Sequence, residues 1–176
     1  MNKVVPTAVL PLLGLSLLAG CAPTGGTAAI VNGVVLPDSR VIEASEACAD
    51  ALRANGAQNA EPGAIRREML EWVVMDEMGK QYVDSQPTKP TEDELRAEAA
   101  ALNLQPLLQN ERCAEITLGV ARYNLVASSL GSNWSDAFGD FEVELNPRYG
   151  TWDLSNVSAV GSGSLSQLDE NYRPAT

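Results

Sequence analysis

The 176-residue chain contains no histidine. That absence removes the commonest general base and the commonest transition-metal ligand, which excludes Ser-His-Asp, Cys-His and His-based zinc sites. Positive charge is scarce as well: 12 Lys and Arg stand against 23 Asp and Glu, leaving a net charge of −11. A chain this acidic has no electrostatic footprint for nucleic acid and is repelled by anionic lipid. Aromatic residues make up only 5% of the chain, and cysteine occurs three times, at 21, 48 and 113. The longest apolar run, Val4 to Leu18, is broken by Pro6 and Pro11. It falls short of the ~20 residues that a membrane-spanning helix needs.

What that run does fit is an export signal, an apolar stretch behind Lys3 that ends in small residues. Its ending, Leu18-Ala-Gly-Cys21, resembles the bacterial lipoprotein box. The resemblance implies that residues 1–20 are a signal peptide and that Cys21 receives a diacylglyceryl group and becomes the mature N-terminus. Two acyl chains anchor stably where one holds marginally. The chain is therefore expected on the extracytoplasmic face of the cell membrane, with residues 21–27 as lipidated terminus and short linker. Cys48 and Cys113 remain. They either form a disulfide, which an oxidising compartment favours, or pack as two small buried hydrophobes.

Residues 28–152 read as one folded domain. Apolar residues flank Asn32-Gly33, the dipeptide suited to a type I′ turn, so Thr27 to Val41 opens with a β-hairpin. A helix is expected from Asp38 to Asn55-Gly56, with Val41, Ala44, Cys48 and Leu52 on one stripe. A second runs from Pro62 to about Val83 and is broken by Ser85 to Pro90. Thr91 and Glu94 form a capping box for a third, ending near Leu102. A long fourth helix is expected over Asn103 to Leu130, followed by a short helical turn at Ser132 to Asp140. Phe141 to Leu145 alternates apolar and charged residues, as a half-buried strand does. By elimination it is the partner of the hairpin. The expected fold is mainly α, a bundle of four to five helices closed by a small antiparallel sheet. Residues 153–176, rich in Ser, Gly and Asn, are expected to be a flexible tail.

The segment "AAIVNGVVLPDSRV", Ala28 to Val41, resembles the opening of the SurA N-terminal domain family of periplasmic chaperones, and "VELNPRYGTWD", Val143 to Asp153, is similar to the closing strand of SurA- and PrsA-type foldases. The intervening "AIRREMLEWVVMDEMGKQYV" and "PTEDELRAEAAAL" resemble the family's second helix and the capped helix after it. The resemblance implies a cradle that binds extended, unfolded polypeptide outside the cytoplasm. Many members also carry a parvulin domain that isomerises X-Pro bonds. Here the stretch before the closing strand is filled by the expected long helix, and no histidine is present for the His-containing cluster that a parvulin site implies, so no isomerase activity, cofactor or metal is expected.

Met69, Trp72, Met75 and Met78 cluster on the second helix, and methionines beside an aromatic make an adaptable apolar surface. On a small bundle such residues also serve as core. Helical spacing sets Met75 and Met78 partly off the Trp72 stripe, which marks them as the candidates for an exposed groove. Asn32, Gly33, Arg148 and Gly150 read as structural, and Asp93 with Glu94 or Asp136 with Asp140 as helix ends, not acid-base pairs. The expected role is a non-catalytic holdase for newly exported proteins; the alternative is an envelope protein that docks one fixed partner.

Overall fold

The computed structural model describes residues 25–161. The expected signal peptide, Cys21 and the greater part of the expected tail lie outside these residues. Strand β1 (Thr27–Val31) and strand β2 (Val34–Pro37) form the opening hairpin. Asn32 and Gly33 both take positive φ, 47° and 79°, as a type I′ turn requires. Strand β3 (Val143–Leu145) pairs antiparallel with the other side of β1, in the register Ala29↔Leu145 and Val31↔Val143. The sheet order is thus β2-β1-β3, and β1 is buried along its whole length.

Two asparagines fix this long-range pairing at its ends. Asn32 donates its backbone N–H to the Glu142 carbonyl at 2.8 Å and accepts from the Glu142 N–H through Oδ1 at 2.8 Å. Its amide nitrogen also reaches Gln81 Oε1 at 2.9 Å, tying the turn to the helical layer. At the other end Asn146 donates its backbone N–H to Ala28 and its side-chain Nδ2 to Thr27, at 2.8 and 2.9 Å. A side chain that mimics a backbone partner can fix register where a strand is too short to do so alone.

The helices are α1 (Asp38–Ala54), α2 (Pro62–Asp84), α3 (Glu92–Ala101), α4 (Glu111–Leu130) and the single turn α5 (Trp134–Phe138). The molecule is mainly helical with a small antiparallel sheet. Helix α1 starts at Asp38, but not through a side-chain cap: Pro37 precedes it, and the Asp38 carboxylate instead pairs with Arg148 and accepts the Tyr149 hydroxyl at 2.5 Å. The capping box of α3 forms as the sequence indicates, with Thr91 accepting from the Glu94 N–H and Glu94 accepting from Thr91. Those bonds hold the Glu94 carboxyl below its ordinary range.

The fourth helix begins later than the apolar stripe suggested. Asn103 takes a left-handed φ of 61°, Gln105–Gln109 forms a 3-10 turn around Pro106, and the Asn110 side chain caps α4 by accepting from Arg112 and Cys113. Cys113 and Cys48 are joined by a disulfide that ties α4 to α1, with both cysteines fully buried.

The chain from Asp153 to Gly161 corrects the expectation of a flexible tail. Strands β4 (Thr151–Asp153) and β5 (Ser158–Val160) form a second hairpin. Helix α2 holds it by hydrogen bonds: Arg67 donates to the carbonyls of Ala159 and Gly161, both at 2.8 Å, and Glu71 accepts the Ala159 N–H at 2.9 Å. Gly150 makes the link from β3 possible. It takes a φ of 95°, and any Cβ there would overlap the Val160 carbonyl.

Candidate functional site

Helix α2 is the central element, and α4 crosses it closely because two glycines permit it. A Cβ at Gly79 would lie 3.2 Å from the Tyr123 backbone, and one at Gly119 would overlap the Asp76 carboxyl. Beyond this crossing an aromatic cluster gathers around the fully buried Phe138, whose ring centroid lies 5.4 Å from Tyr82, 5.1 Å from Tyr123 and 5.3 Å from Phe141. The Tyr123 hydroxyl accepts the Trp134 Nε1–H at 3.0 Å.

Burial pushes the Tyr123 phenol up to about 12. Its proton is held more tightly in the folded chain than in the unfolded one, where a tyrosine titrates near 10. The stability it contributes is complete below about pH 10 and is lost as pH rises toward 12. An alkaline unfolding series should therefore show a falling midpoint in that window. Tyr123→Phe should remove the Tyr123 part of the fall, the difference being read by tyrosinate absorbance and circular dichroism.

Where α2 stops at Asp84, Pro87 and Pro90 carry the chain sideways before Thr91 starts α3. The detour leaves an open groove of about 370 Å³ lined by Tyr82, Val83, Pro87, Pro90, Leu125 and Val126. Lys89 and Glu94 stand among its polar residues, with Lys89 paired to Asp84. The size falls within the range of small ligand pockets, and apolar walls with a few polar groups are their usual composition.

None of the four residues selected on α2 lines this groove. Met69 and Met78 are core residues, and Met78, expected at an exposed groove, is fully buried. The reason is helical phase: Met78 lies eight positions after Leu70 and four after Val74, on the face that packs inward with them. Trp72 and Met75 are half-buried and pack against the core from its margin. The four do not form one surface.

The residue that sequence reasoning missed is Asp76. Its side chain is 1% exposed, yet it receives three cations from three places in the chain. Arg40 of α1 reaches Oδ2 at 2.5 Å, Lys80 reaches the same oxygen at 2.7 Å from one turn along α2, and Arg122 of α4 reaches Oδ1 at 2.6 Å. The carboxylate lies against Gly119, so the α2–α4 crossing and the ion cluster are one structure. The only local signal was the Asp76/Lys80 spacing.

Among the described residues no cluster of Cys, Asp and Glu is placed to hold a metal ion, and no helix is long and apolar enough to cross a membrane. Comparison with protein-family models, with curated proteins and with solved structures finds no match for this chain.

Proposed function

We propose that this is a lipid-anchored extracytoplasmic protein whose helical domain, resembling the SurA N-terminal type, holds apolar segments of newly exported polypeptides without catalysing a reaction. The observation that supports this reading most is the open apolar groove at the ends of α2 and α4, walled by Tyr82, Pro87, Pro90 and Leu125. Apolar walls contribute about 25 cal/mol per Å² before ordering costs, and a groove this size buries only a short segment. The affinity that follows is modest and the selectivity broad, which suits transient holding.

The detergent-solubilised full chain should delay the aggregation of several unrelated unfolded clients, measured by light scattering. Leu125→Gln, at the half-buried groove wall, should raise the concentration needed by about threefold, equivalent to losing part of one leucine's burial, with the unfolding midpoint nearly unchanged. A chain that delays none of them and instead captures one envelope protein would replace this reading with that of a dedicated docking protein.

A further inference from the structure

Among the described residues most strand edges are occupied by the fold itself. In the second hairpin, Ala159 of β5 donates its N–H to Glu71 and its carbonyl accepts from Arg67, which also donates to the Gly161 carbonyl. Strand β4 lies along the outer side of β3 and comes within 8 Å of it. A further strand needs about 4.8 Å on each side, so none fits between them. The remaining edge is the outer side of β2. Of the other elements only β1 and α1, into which β2 runs directly, have more than glancing contact with it.

In the β1–β3 ladder Asn32 bonds Glu142 and Asn146 bonds Ala28. Hydrogen-bonded pairs alternate along an antiparallel ladder, so Ile30 and Glu144, midway between them, form a bonded pair, and Ile30 directs its N–H and C=O at β3. Val35, the partner of Ile30 on the other side, therefore has no bond from β1 and turns both its backbone groups outward. Val35 and Val34 are 54% and 43% exposed, the two most exposed large hydrophobic residues among those described. Natural edge strands are blunted by charge, proline or bulges. Strand β2 carries no charged residue, and its Pro37 and the irregularity at Thr27 and Ala29 sit at the end away from Val34 and Val35.

We propose that the open edge of β2 pairs with an extended segment of unfolded polypeptide, rich in β-branched apolar residues and free of acidic ones, which joins the sheet as a fourth strand beside Val35. The assignment rests on the reading that the domain holds unfolded chain, and it adds to the groove a place where backbone is recognised. Two observations select this occupant over a second copy of the chain. A four-residue edge with two exposed valines offers far less than the ~800 Å² per partner of a stable complex between folded proteins. Each copy also carries a net charge of −11, so copies repel one another and acidic segments are disfavoured. A peptide strand needs no such area, because main-chain bonds give the affinity and alternate side chains the preference. Beside Val34 and Val35 the best cross-strand neighbours are β-branched. The turn end of β2 is held against Gln81 by Asn32, and the next two residues of α2, Tyr82 and Val83, wall the groove, so edge and groove are anchored to the same end of α2.

The test uses the full chain in detergent at physiological salt and a fluorescein-labelled peptide, Lys-Thr-Val-Thr-Val-Thr-Lys. A counterpart N-methylated at two consecutive central residues has the same charge but both of its edges blocked. Fluorescence anisotropy should show the unmodified peptide binding about tenfold more tightly than the N-methylated one, which loses the backbone bonds to Val35. Val35→Pro removes the outward N–H, a change that an edge strand tolerates, and should weaken binding about tenfold. Val35→Lys, which keeps the backbone intact, should weaken it several-fold with the melting temperature nearly unchanged. With peptide bound, amide exchange read by NMR should slow at Val35 and stay unchanged at Ile30, already bonded to β3. Equal binding of the N-methylated peptide, or unchanged exchange at Val35, would overturn the edge site, and the holding role would stand without it if client aggregation is still delayed. Peptide pairing at Val35 in a chain that protects no client would overturn the holding role and leave the edge as a binding surface. A dimer in sedimentation equilibrium that Val35→Lys dissociates would assign the edge to a second copy and overturn the proposal.

Discussion

Asp76→Ala is expected to cost about 4 kcal/mol of folding stability, within the range for removing one partner of a buried ion cluster. That loss should lower the melting temperature by roughly 10–15 °C for a domain of this size, measured by calorimetry at neutral pH. The cost arises less from lost attraction than from what is left behind. Arg40, Lys80 and Arg122 converge from α1, α2 and α4, and the two nitrogens on Oδ2 lie 2.5 and 2.7 Å from that one atom. Without the carboxylate, three cations partly withdrawn from water repel one another where the helices meet. Arg40 alone also meets Glu115, and only at 4.0 Å.

The same cluster predicts a dependence between two sites. Gly119→Ala introduces a Cβ that overlaps the Asp76 carboxyl, so by itself it must push α4 away from α2, at a cost of about 1–3 kcal/mol. In an Asp76→Ala background the two nearest carboxyl atoms are gone and only the Cβ of residue 76, at 2.6 Å, still obstructs. The methyl enters part of the space that the carboxylate vacated, and α4 shifts less. The double variant should therefore be more stable than the two single losses summed, by about 1 kcal/mol or more, as residues in direct contact do not add. Additive losses would mean that the glycine serves the helix crossing through Asp76's neighbours and not through Asp76.

Asp76 also shows where sequence reading stops. Features written in adjacent residues were legible: Asn32-Gly33 at the turn, Thr91 with Glu94 at the head of α3, alternation at Phe141 to Leu145. The closure of the sheet by remote ends was legible only because no other strong strand competed for the hairpin. Asp76 is one of 23 acidic residues, and its significance comes from Arg40 and Arg122, 36 and 46 positions away. No local pattern carries that. The second hairpin escaped for a related reason, because strands of three residues show no period and depend on Arg67 and Glu71, 92 and 88 positions before Ala159. The later start of α4 was in principle readable, since Asn110 followed by Glu111 is a capping signal, but Pro106 offered an earlier and equally regular beginning. At the candidate site the break made by Pro87 and Pro90 was visible, while the groove it opens depends on Leu125 and Val126 arriving from α4.

Reduction of the Cys48–Cys113 bond is the second large effect expected. The cross-link spans 65 positions, and in the chain-entropy account a closed loop of that length is worth about 4 kcal/mol, most of it through restriction of the unfolded chain. Urea unfolding with and without reductant should show the midpoint falling by that equivalent, and Cys48→Ala with Cys113→Ala should match or exceed it, because both sulfur positions are sealed in the core. The bond and the Asp76 cluster fasten α1 to α4 at separate heights: Cys48 lies eight residues, about 12 Å, along α1 from Arg40. Effects at that separation should add, bringing the combined loss to about 8 kcal/mol against a typical total of 5–15. The Asp76→Ala chain should thus fold while oxidised and, once reduced, keep only the small remainder of that total. A combined loss well short of 8 kcal/mol would mean that α2 holds α1 and α4 together without either fastening.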